Sequence, residues 1–306
     1  MADKGIENMK GFDWTRVVPQ PLIEGLTDMR VQDAERISRA ARQRRRRPFV
    51  TLSGRLNLVS VKLDAVSKIA RGELLGRVIS AISTDWCDGI VAPVPILEDL
   101  ILLHDAVLER GAPGCLEHKL LIADGLCNAG RWLGGSPAAC EEYKLDGLRA
   151  RFAPETELDA AFGAIHDLAK IGVRSIIEAP LPPGSGDEPE LAPAMAALAS
   201  SLDMARFVWL ALPYGADFSA ALASTSLPVL LRPDPRMDAA QSLKRIEAAL
   251  ACGANARGVL CGPGLWRSPD LDPRKVVAIA GKMVHDRLTL QGAVEAIQHD
   301  SQPVPA

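Results

Sequence analysis

The sequence predicts a (β/α)8 TIM barrel with an N-terminal extension, and three observations lead to this fold class. Eight short apolar runs alternate with amphipathic stretches over most of the 306 residues, at the spacing of one strand and one helix per unit. The runs are almost continuously apolar, as expected of parallel strands that are buried on both faces. A doubly wound open sheet is the competing fold, but its Gly-x-Gly-x-x-Gly motif does not follow the first run.

The composition excludes several functional classes. The chain is 48% hydrophobic and 24% charged with a formal net charge of −3, which is typical of a soluble globular protein and not of a dedicated nucleic-acid binder. No apolar segment is long enough to span a membrane and the N-terminus lacks an apolar signal core, so we expect a cytoplasmic protein without membrane or nucleic-acid partners. The six cysteines lack C-x2-C spacing and the five histidines lack H-x3-H spacing, so we expect reduced core thiols, no metal site and no cofactor.

Three segments are predicted along the chain: an N-terminal arm over residues 1–32, the barrel over 33–288 and a C-terminal tail over 289–306. A helix that begins near Gln32 would carry the basic run Arg42–Arg47 in its last turn, where cations suit the helix dipole. A patch for nucleic acid or anionic lipid is the competing interpretation of this run, and we favour the helix.

The predicted strands of the barrel follow that helix in order. They are Pro48–Gly54, Gly89–Val94, Lys119–Asp124, Gly147–Phe152, Ser175–Ala179, Phe207–Leu212, Pro228–Leu231 and Gly258–Gly262. Helices are predicted between them over 64–84, 97–110, 155–171, 191–202, 217–223, 239–251 and 273–287. Apolar residues at a helical period mark the first of these helices, and glycines follow the ends of three others.

The active site of such a barrel lies at the carboxyl ends of its strands, so the residues there are the candidates. Arg151 and Glu178 end adjacent strands between apolar neighbours, and Asp124 ends the strand before them. A buried charge needs a partner, so a structural Arg–Glu pair is one interpretation. A substrate-anchoring arginine beside a general acid or base is the other, and both can hold. We therefore predict Glu178, Asp124 and Arg151 as catalytic residues.

A second set of candidates follows the last two strands, where barrels of this class bind phosphate. Gly262 and Gly264 form a glycine-rich turn after the eighth run, and Arg267 comes shortly after it. Glycines let backbone N–H groups approach an anion closely. Arg232, after the seventh run, adds a guanidinium suited to phosphate or carboxylate. These four residues are the predicted substrate- and phosphate-binding set.

Four stretches of the chain carry a resemblance to a known family. They are GVLCGPGLWRSPD at 258–270, DGIVAPVPILEDLILL at 88–103, VWLALP at 208–213 and LPVLLRPDP at 227–235. Together they resemble the class I aldolase superfamily of the archaeal fructose-bisphosphate, deoxyribose-phosphate and tagatose-bisphosphate type. The sequence is most similar to a bacterial (β/α)8-barrel branch of that superfamily that is associated with inositol catabolism. The similarity covers roughly residues 48–285.

The resemblance implies Schiff-base chemistry on a strand-six lysine, and here the sequence departs from the family. The family lysine would fall at Ala211, or less favourably at Trp209, and neither side chain can form an imine. A family aspartate at the end of strand one is replaced by Ser53-Gly54-Arg55, and the arginine of the last loop by Pro263. Only 10 of the 35 basic residues are lysines, and Lys62 is the one substitute whose position suits the site.

These features lead to a primary hypothesis and two rivals. The primary hypothesis is a divergent carbon–carbon lyase of carbohydrate metabolism that binds a phosphorylated or acidic sugar derivative and lacks the Schiff-base lysine. The first rival is a non-catalytic aldolase homologue that acts as a binding or assembly partner. The second is a metal-dependent lyase that uses Asp124, Glu178 and Asp234. The resemblance also implies a homo-oligomer.

Overall fold

The computed structural model describes residues 17–49, 52–61, 70–128, 131–152, 158–178, 208–215, 218–267 and 271–300. Its strands are β1 Leu56–Ser60, β2 Gly89–Ala92, β3 Leu120–Asn128, β4 Arg131–Gly134, β5 Gly147–Phe152, β6 Arg174–Glu178, β7 Val208–Pro213, β8 Val229–Arg232 and β9 Ala256–Cys261. All except β4 are parallel and follow the order β1-β2-β3-β5-β6-β7-β8-β9, and β9 pairs with β1 to close the ring. The predicted (β/α)8 barrel is therefore confirmed.

The described helices alternate with these strands. They are α1 Gln20–Gln32, α2 Glu35–Gln43, α3 Arg71–Ile82, α4 Val94–Leu108, α5 Pro137–Glu142, α6 Leu158–Lys170, α7 Phe218–Ala223, α8 Ala239–Ala251, α9 Pro263–Trp266, α10 Pro273–His285 and α11 Leu290–Asp300. The predicted helix over 191–202 lies outside the described residues. None of the described helices is long and apolar enough to cross a membrane. All six cysteines are free thiols, and burial raises the pKa of Cys87 to about 11.

The position predicted for the first strand, Pro48–Gly54, is wrong. The strand begins at Leu56, and every residue of β1 is buried. Gly54 has a φ of 67°, a left-handed conformation that ends any extended run there, and the ring of Phe49 packs near Trp209 inside the barrel. Ser53, Gly54 and Arg55 consequently lie at the amino end of the barrel, opposite the expected active site.

The interior of the barrel changes from apolar to charged along its axis. Inward side chains at the middle and amino end form one apolar cluster that includes Leu58, Ile122, Ile176 and Leu230. Side chains alternate between the two faces of a strand, so the inward residue two positions after Ile122 is Asp124, and the one after Ile176 is Glu178. The strand period therefore concentrates charged groups at the carboxyl end, which we call the mouth.

The basic run Arg42–Arg47 begins in the last turn of α2 at Arg42, as predicted, but most of it continues beyond the helix along the amino end of the barrel. Helix α2 ends at Gln43, so Arg44–Arg47 continue beyond it. Arg44 and Arg46 both pair with Asp146, at 2.7 and 2.9 Å, and Arg47 pairs with an oxygen of Asp88 at 2.9 Å. Arg44 is almost fully buried, so its guanidinium needs this partner. The run therefore fixes the amino end of the barrel.

The segments on either side of the barrel pack against its helices. Arg30 of α1 forms ion pairs with Glu98 and Asp99 of α4, both at 2.9 Å. In α11, Ala293 is fully buried, and the first residue of the helix donates its backbone N–H to Glu247 at 2.8 Å. The predicted segment boundaries themselves stay predictions.

Candidate functional site

Asp124 lies at the mouth between two arginines of the neighbouring strand β5. Its Oδ1 accepts hydrogen bonds from Nε of Arg149 and Nε of Arg151, both at 3.0 Å. Its Oδ2 lies 2.8 Å from Nη2 of Arg149 and accepts a bond of 3.3 Å from Nη2 of Arg151. Asp124 and Arg149 side chains are each 1% exposed, whereas that of Arg151 is one-third exposed. The carboxylate thus holds one deeply buried and one accessible guanidinium.

Glu178 forms the other half of the site. Its Oε1 accepts a hydrogen bond from Nη1 of Arg232, which reaches across from β8. Its Oε2 is buried, has no hydrogen-bond partner, and lies 3.7 Å from Nε of Arg149. A buried oxygen without a donor costs about 1–3 kcal/mol, so a ligand hydroxyl that donates to this atom would be stabilising.

The five charged residues Asp124, Arg149, Arg151, Glu178 and Arg232 are called the mouth cluster below. Three positive and two negative side chains leave a surplus of one positive charge. Burial lowers the pKa of the Arg149 guanidinium, but the adjacent carboxylates of Asp124 and Glu178 outweigh it and raise that pKa above its usual value. The cluster therefore keeps Arg149 charged, and its surplus positive charge favours an anion.

Ser60 and Trp266, which were not among the predicted site residues, support the mouth cluster. The Ser60 hydroxyl, at the end of β1, accepts a 2.9 Å bond from Nη1 of Arg149, and the Ser60 carbonyl accepts a 3.2 Å bond from Nε1 of Trp266. Ser60 was missed because the first strand was placed too early in the sequence. The available signal was the alternation of Leu56, Leu58 and Ser60, in which a hydroxyl takes the last inward position of β1. Arg149 lies within the predicted strand Gly147–Phe152 but was not among the predicted site residues, because its central position depends on strand register.

The hairpin of β3 and β4 supports the backbone at Asp124. Strand β4 pairs antiparallel with the extension of β3, and the N–H of Gly135 donates to the carbonyl of Asp124 at 2.9 Å. Trp132 of the hairpin packs its ring 6.5 Å from that of Phe152 at the end of β5. The hairpin therefore fixes the two strands that carry Asp124, Arg149 and Arg151.

Ala211 faces the interior next to the mouth cluster. It is fully buried in the inward apolar cluster and is paired in register with Glu178 on one side and Leu230 on the other. In the part of the chain that the structure describes, no lysine lies in a barrel strand. Lys119 directly precedes β3 at the amino end, where its Nζ donates to the carbonyls of Thr84 and Cys87. Lys62 lies outside the described residues.

The glycine turn and Arg267 border a separate cleft. Gly264 and Arg267 line it together with the loop after β8, which contributes Arg236 and Met237, and its volume is about 700 Å³. A β-carbon on Gly264 would lie 2.3 Å from the carbonyl oxygen of Met237, so this glycine serves close backbone packing. A β-carbon on Gly262 would meet nothing within 4 Å, so that residue borders open space. Among the predicted binding residues, only Arg232 has a contact within the mouth cluster.

Substitution of the two glycines tests this distinction. We expect Gly264→Ala to lower the free energy of unfolding by about 1–3 kcal/mol, because the new methyl group must displace the loop after β8. The matched variant Gly262→Ala has room for its methyl group and should change stability by less than about 0.5 kcal/mol. Urea denaturation followed by circular dichroism measures both. Equal destabilisation of the two variants would contradict the packing role of Gly264.

The residues proposed for a metal-dependent lyase do not converge on one point. Asp234 pairs with Arg236 of its own loop at 2.8 Å, and the hydrogen bonds of that arginine hold the pKa of the Asp234 carboxyl below its usual value. Asp124 and Glu178 are paired with arginines. Within the described residues, no group of three or more histidine, cysteine or acidic side chains has the arrangement of a metal site.

Comparison with solved structures defines the fold class, a TIM barrel that is similar in fold to aldolases. A fructose-bisphosphate aldolase from Slackia heliotrinireducens is 11% identical with a TM-score of 0.61, and the match covers 90% of this chain and 93% of that one. An archaeal fructose 1,6-bisphosphate aldolase is 14% identical with a TM-score of 0.54, over 82% of this chain and 99% of the other. At such identities the likeness establishes the fold alone.

The family follows from a match over residues 55–281 to the model described as Cgl0159-like, and the chain belongs to this Cgl0159-like family. The structure of Cgl0159 from Corynebacterium glutamicum is 22% identical with a TM-score of 0.72, over 87% of this chain and 97% of the other. A search of curated proteins gave no match. The resemblance to class I aldolases is thus confirmed at the level of fold, and the association with inositol catabolism stays a prediction.

Proposed function

We propose that the mouth cluster binds a small, hydroxylated anion, a phosphorylated or acidic sugar derivative, and that the protein is a divergent carbon–carbon lyase that works without an imine. The observation that carries this proposal is the buried Oε2 of Glu178, which accepts no hydrogen bond, in a cluster whose three arginines and two carboxylates leave one surplus positive charge. A ligand with an anionic group and a hydroxyl would satisfy both features at once.

The anionic group would bind to the two accessible arginines. Arg151 is one-third exposed and Arg232 about one-eighth, whereas Arg149 is buried among its partners. A guanidinium offers paired donors that match the oxygens of a carboxylate or phosphate. Arg151 and Arg232 would therefore anchor the ligand, and Arg149 would hold Asp124 and Glu178 in place.

The hydroxyl of the ligand would donate to Oε2 of Glu178, which supports a retro-aldol step. Glu178 would take the hydroxyl proton as general base while the hydroxyl carbon becomes a carbonyl and the adjacent C–C bond breaks. The electron pair of that bond would pass to the neighbouring carbonyl of the ligand, forming an enolate, whose carbon then takes the proton from Glu178 so that the carboxylate is restored. Arg151, the more exposed of the two anchoring arginines, would also stabilise the enolate oxygen as a fixed positive charge while Arg232 holds the anionic group, and this stabilisation is the task an imine performs in Schiff-base enzymes.

A non-catalytic binding protein is the second candidate, and one observation favours it. Both carboxylates of the mouth cluster are already paired with guanidinium groups, as in a purely structural ion-pair network. The two candidates share the ligand class and differ only in turnover. Release of an aldehyde or ketone from a sugar phosphate or sugar acid would decide for the lyase.

Binding at Arg232 tests the part of the proposal that both candidates share. We expect Arg232→Ala to weaken the affinity for 6-phosphogluconate by about 10- to 100-fold, because a charge-assisted contact is lost and Glu178 is left without its partner. The control Arg236→Ala removes an arginine of the loop that follows Arg232, whose side chain is 89% exposed, and the affinity of this variant should stay within about twofold of the wild type. Isothermal titration calorimetry measures both, with neutral sorbitol as the ligand control. Equal affinities of the wild type and Arg232→Ala would overturn the assignment.

A further inference from the structure

A second cluster of reactive side chains lies at the amino end of the barrel, opposite the mouth. Oγ of Ser53 is 2.9 Å from Nδ1 of His285, and Nε2 of His285 is 2.9 Å from Oδ2 of Asp88. The three residues come from the turn before β1, the end of α10 and the residue before β2. A hydroxyl within reach of an imidazole that is oriented by a carboxylate is the arrangement of an activated nucleophile.

The proton positions in this triad follow from its chemistry. An ionised Asp88 can only accept hydrogen bonds, so a neutral His285 carries its proton on Nε2 and donates it to Asp88. Nδ1 then holds a lone pair and can only accept, which makes the hydroxyl of Ser53 the donor. The imidazole is thereby set in the tautomer that removes a proton from Ser53.

The solvent exposure of the side chains increases along the triad from Asp88 through His285 to Ser53, as a reactive triad requires. The Asp88 side chain is 6% exposed and that of His285 is 13% exposed, whereas Ser53 lies at the surface. Asp88 is fixed by Nη1 of Arg47 at 2.9 Å and by the backbone N–H of Asn57 at 2.6 Å. The orienting carboxylate is thus held firmly while the nucleophile faces solvent.

Positive charge collects beside the nucleophile. Burial, followed by repulsion from Arg287 and Arg257, lowers the pKa of Arg55, the second residue after Ser53. Nη1 of Arg257 is 3.7 Å from the place where a β-carbon on Gly54 would lie, and Gly54 directly follows Ser53. The N–H of the residue after the nucleophile and a nearby guanidinium are both groups that stabilise an oxyanion.

We propose that Ser53, His285 and Asp88 form a second, hydrolytic site that cleaves carboxylic esters whose acyl group carries a negative charge. Ser53 Oγ attacks the acyl carbon while its proton passes to Nδ1 of His285. The ester C–O bond breaks and the alcohol leaves with that proton. Water then attacks the acyl-serine, gives its proton to His285 and releases the acid, and the proton returns to Ser53.

The proposal is tested by hydrolysis of mono(4-nitrophenyl) glutarate, with 4-nitrophenyl acetate as the uncharged comparison. We expect faster cleavage of the glutarate ester, and a loss of at least about 100-fold in kcat/KM in both Ser53→Ala and His285→Ala. Ser83→Ala is the matched control, because Ser83 is an exposed serine that precedes β2 at the same end of the barrel. It should keep the wild-type rate.

A covalent probe keeps the test decisive if His285→Ala folds poorly. A fluorophosphonate should modify Ser53 in the intact protein, as located by peptide mass spectrometry, and Ser53→Ala removes an exposed side chain with little effect on folding. Modification of Ser53 together with loss of turnover in Ser53→Ala supports the site. An unmodified Ser53, or an ester hydrolysis rate that is the same in Ser53→Ala and the wild type, would overturn it.

Discussion

Asp124→Ala is expected to lower the free energy of unfolding by about 3–5 kcal/mol, the cost of leaving a buried charge without its partner. Arg149 is 1% exposed, and its closest carboxylate is Asp124 at 2.8 Å, whereas Oε2 of Glu178 is 3.7 Å away. Arg151 loses the same partner. The guanidinium groups of Arg149 and Arg151 would then lie near each other at the end of β5 without the carboxylate of Asp124 that both of them bind.

Urea denaturation of the wild type and the variant measures this loss. The control Asp167→Ala removes an exposed carboxylate that pairs with Lys170, and it should cost less than about 1 kcal/mol. The double variant Asp124→Ala/Arg149→Met should recover part of the stability, because removing both partners leaves only Arg151, which reaches solvent. A single variant within about 0.5 kcal/mol of the wild type would contradict the role given to Asp124.

Glu178→Gln is expected to reduce carbon–carbon cleavage by at least about 100-fold while ligand affinity changes only a few-fold. The amide keeps the shape of the side chain and an oxygen that accepts from Arg232, but it cannot take a proton from the ligand hydroxyl. A coupled assay for the released aldehyde, combined with calorimetry, separates turnover from binding. Glu142→Gln, an exposed glutamate outside the mouth, should retain full activity. Unchanged turnover in Glu178→Gln would contradict the role of Glu178 as general base.

Much of the fold could be predicted because parallel strands and helices have different apolar periods. The strand Gly147–Phe152 and the helix Ala239–Ala251 have the predicted bounds. The first strand was misplaced because Pro48–Gly54 and Leu56–Ser60 are both short and rich in strand-forming residues. Only the left-handed backbone at Gly54 and the burial of Phe49 distinguish them, and both are tertiary features. Hairpin strand β4 was missed because its exposed residues have no apolar alternation.

The residues of the candidate site that lie at the end of a single strand could be predicted from the sequence. Asp124, Arg151, Glu178 and Arg232 were chosen from strand ends, and the structure brings these four side chains into one network. The central place of Arg149 and the contact with Ser60 depend on closure of the barrel, which single strands do not encode. Gly264 and Arg267 were also chosen because they follow a strand end, but the short helix α9 places them at a different cleft.

The central claim is that the barrel handles an anionic sugar derivative through guanidinium and carboxylate groups and not through a lysine imine. Borohydride reduction in the presence of dihydroxyacetone phosphate tests it most directly, because an imine is trapped as a permanent adduct that mass spectrometry locates. We predict an unchanged protein mass under conditions where calorimetry shows the ligand bound. A reduced adduct on any lysine, Lys62 included, would contradict the account.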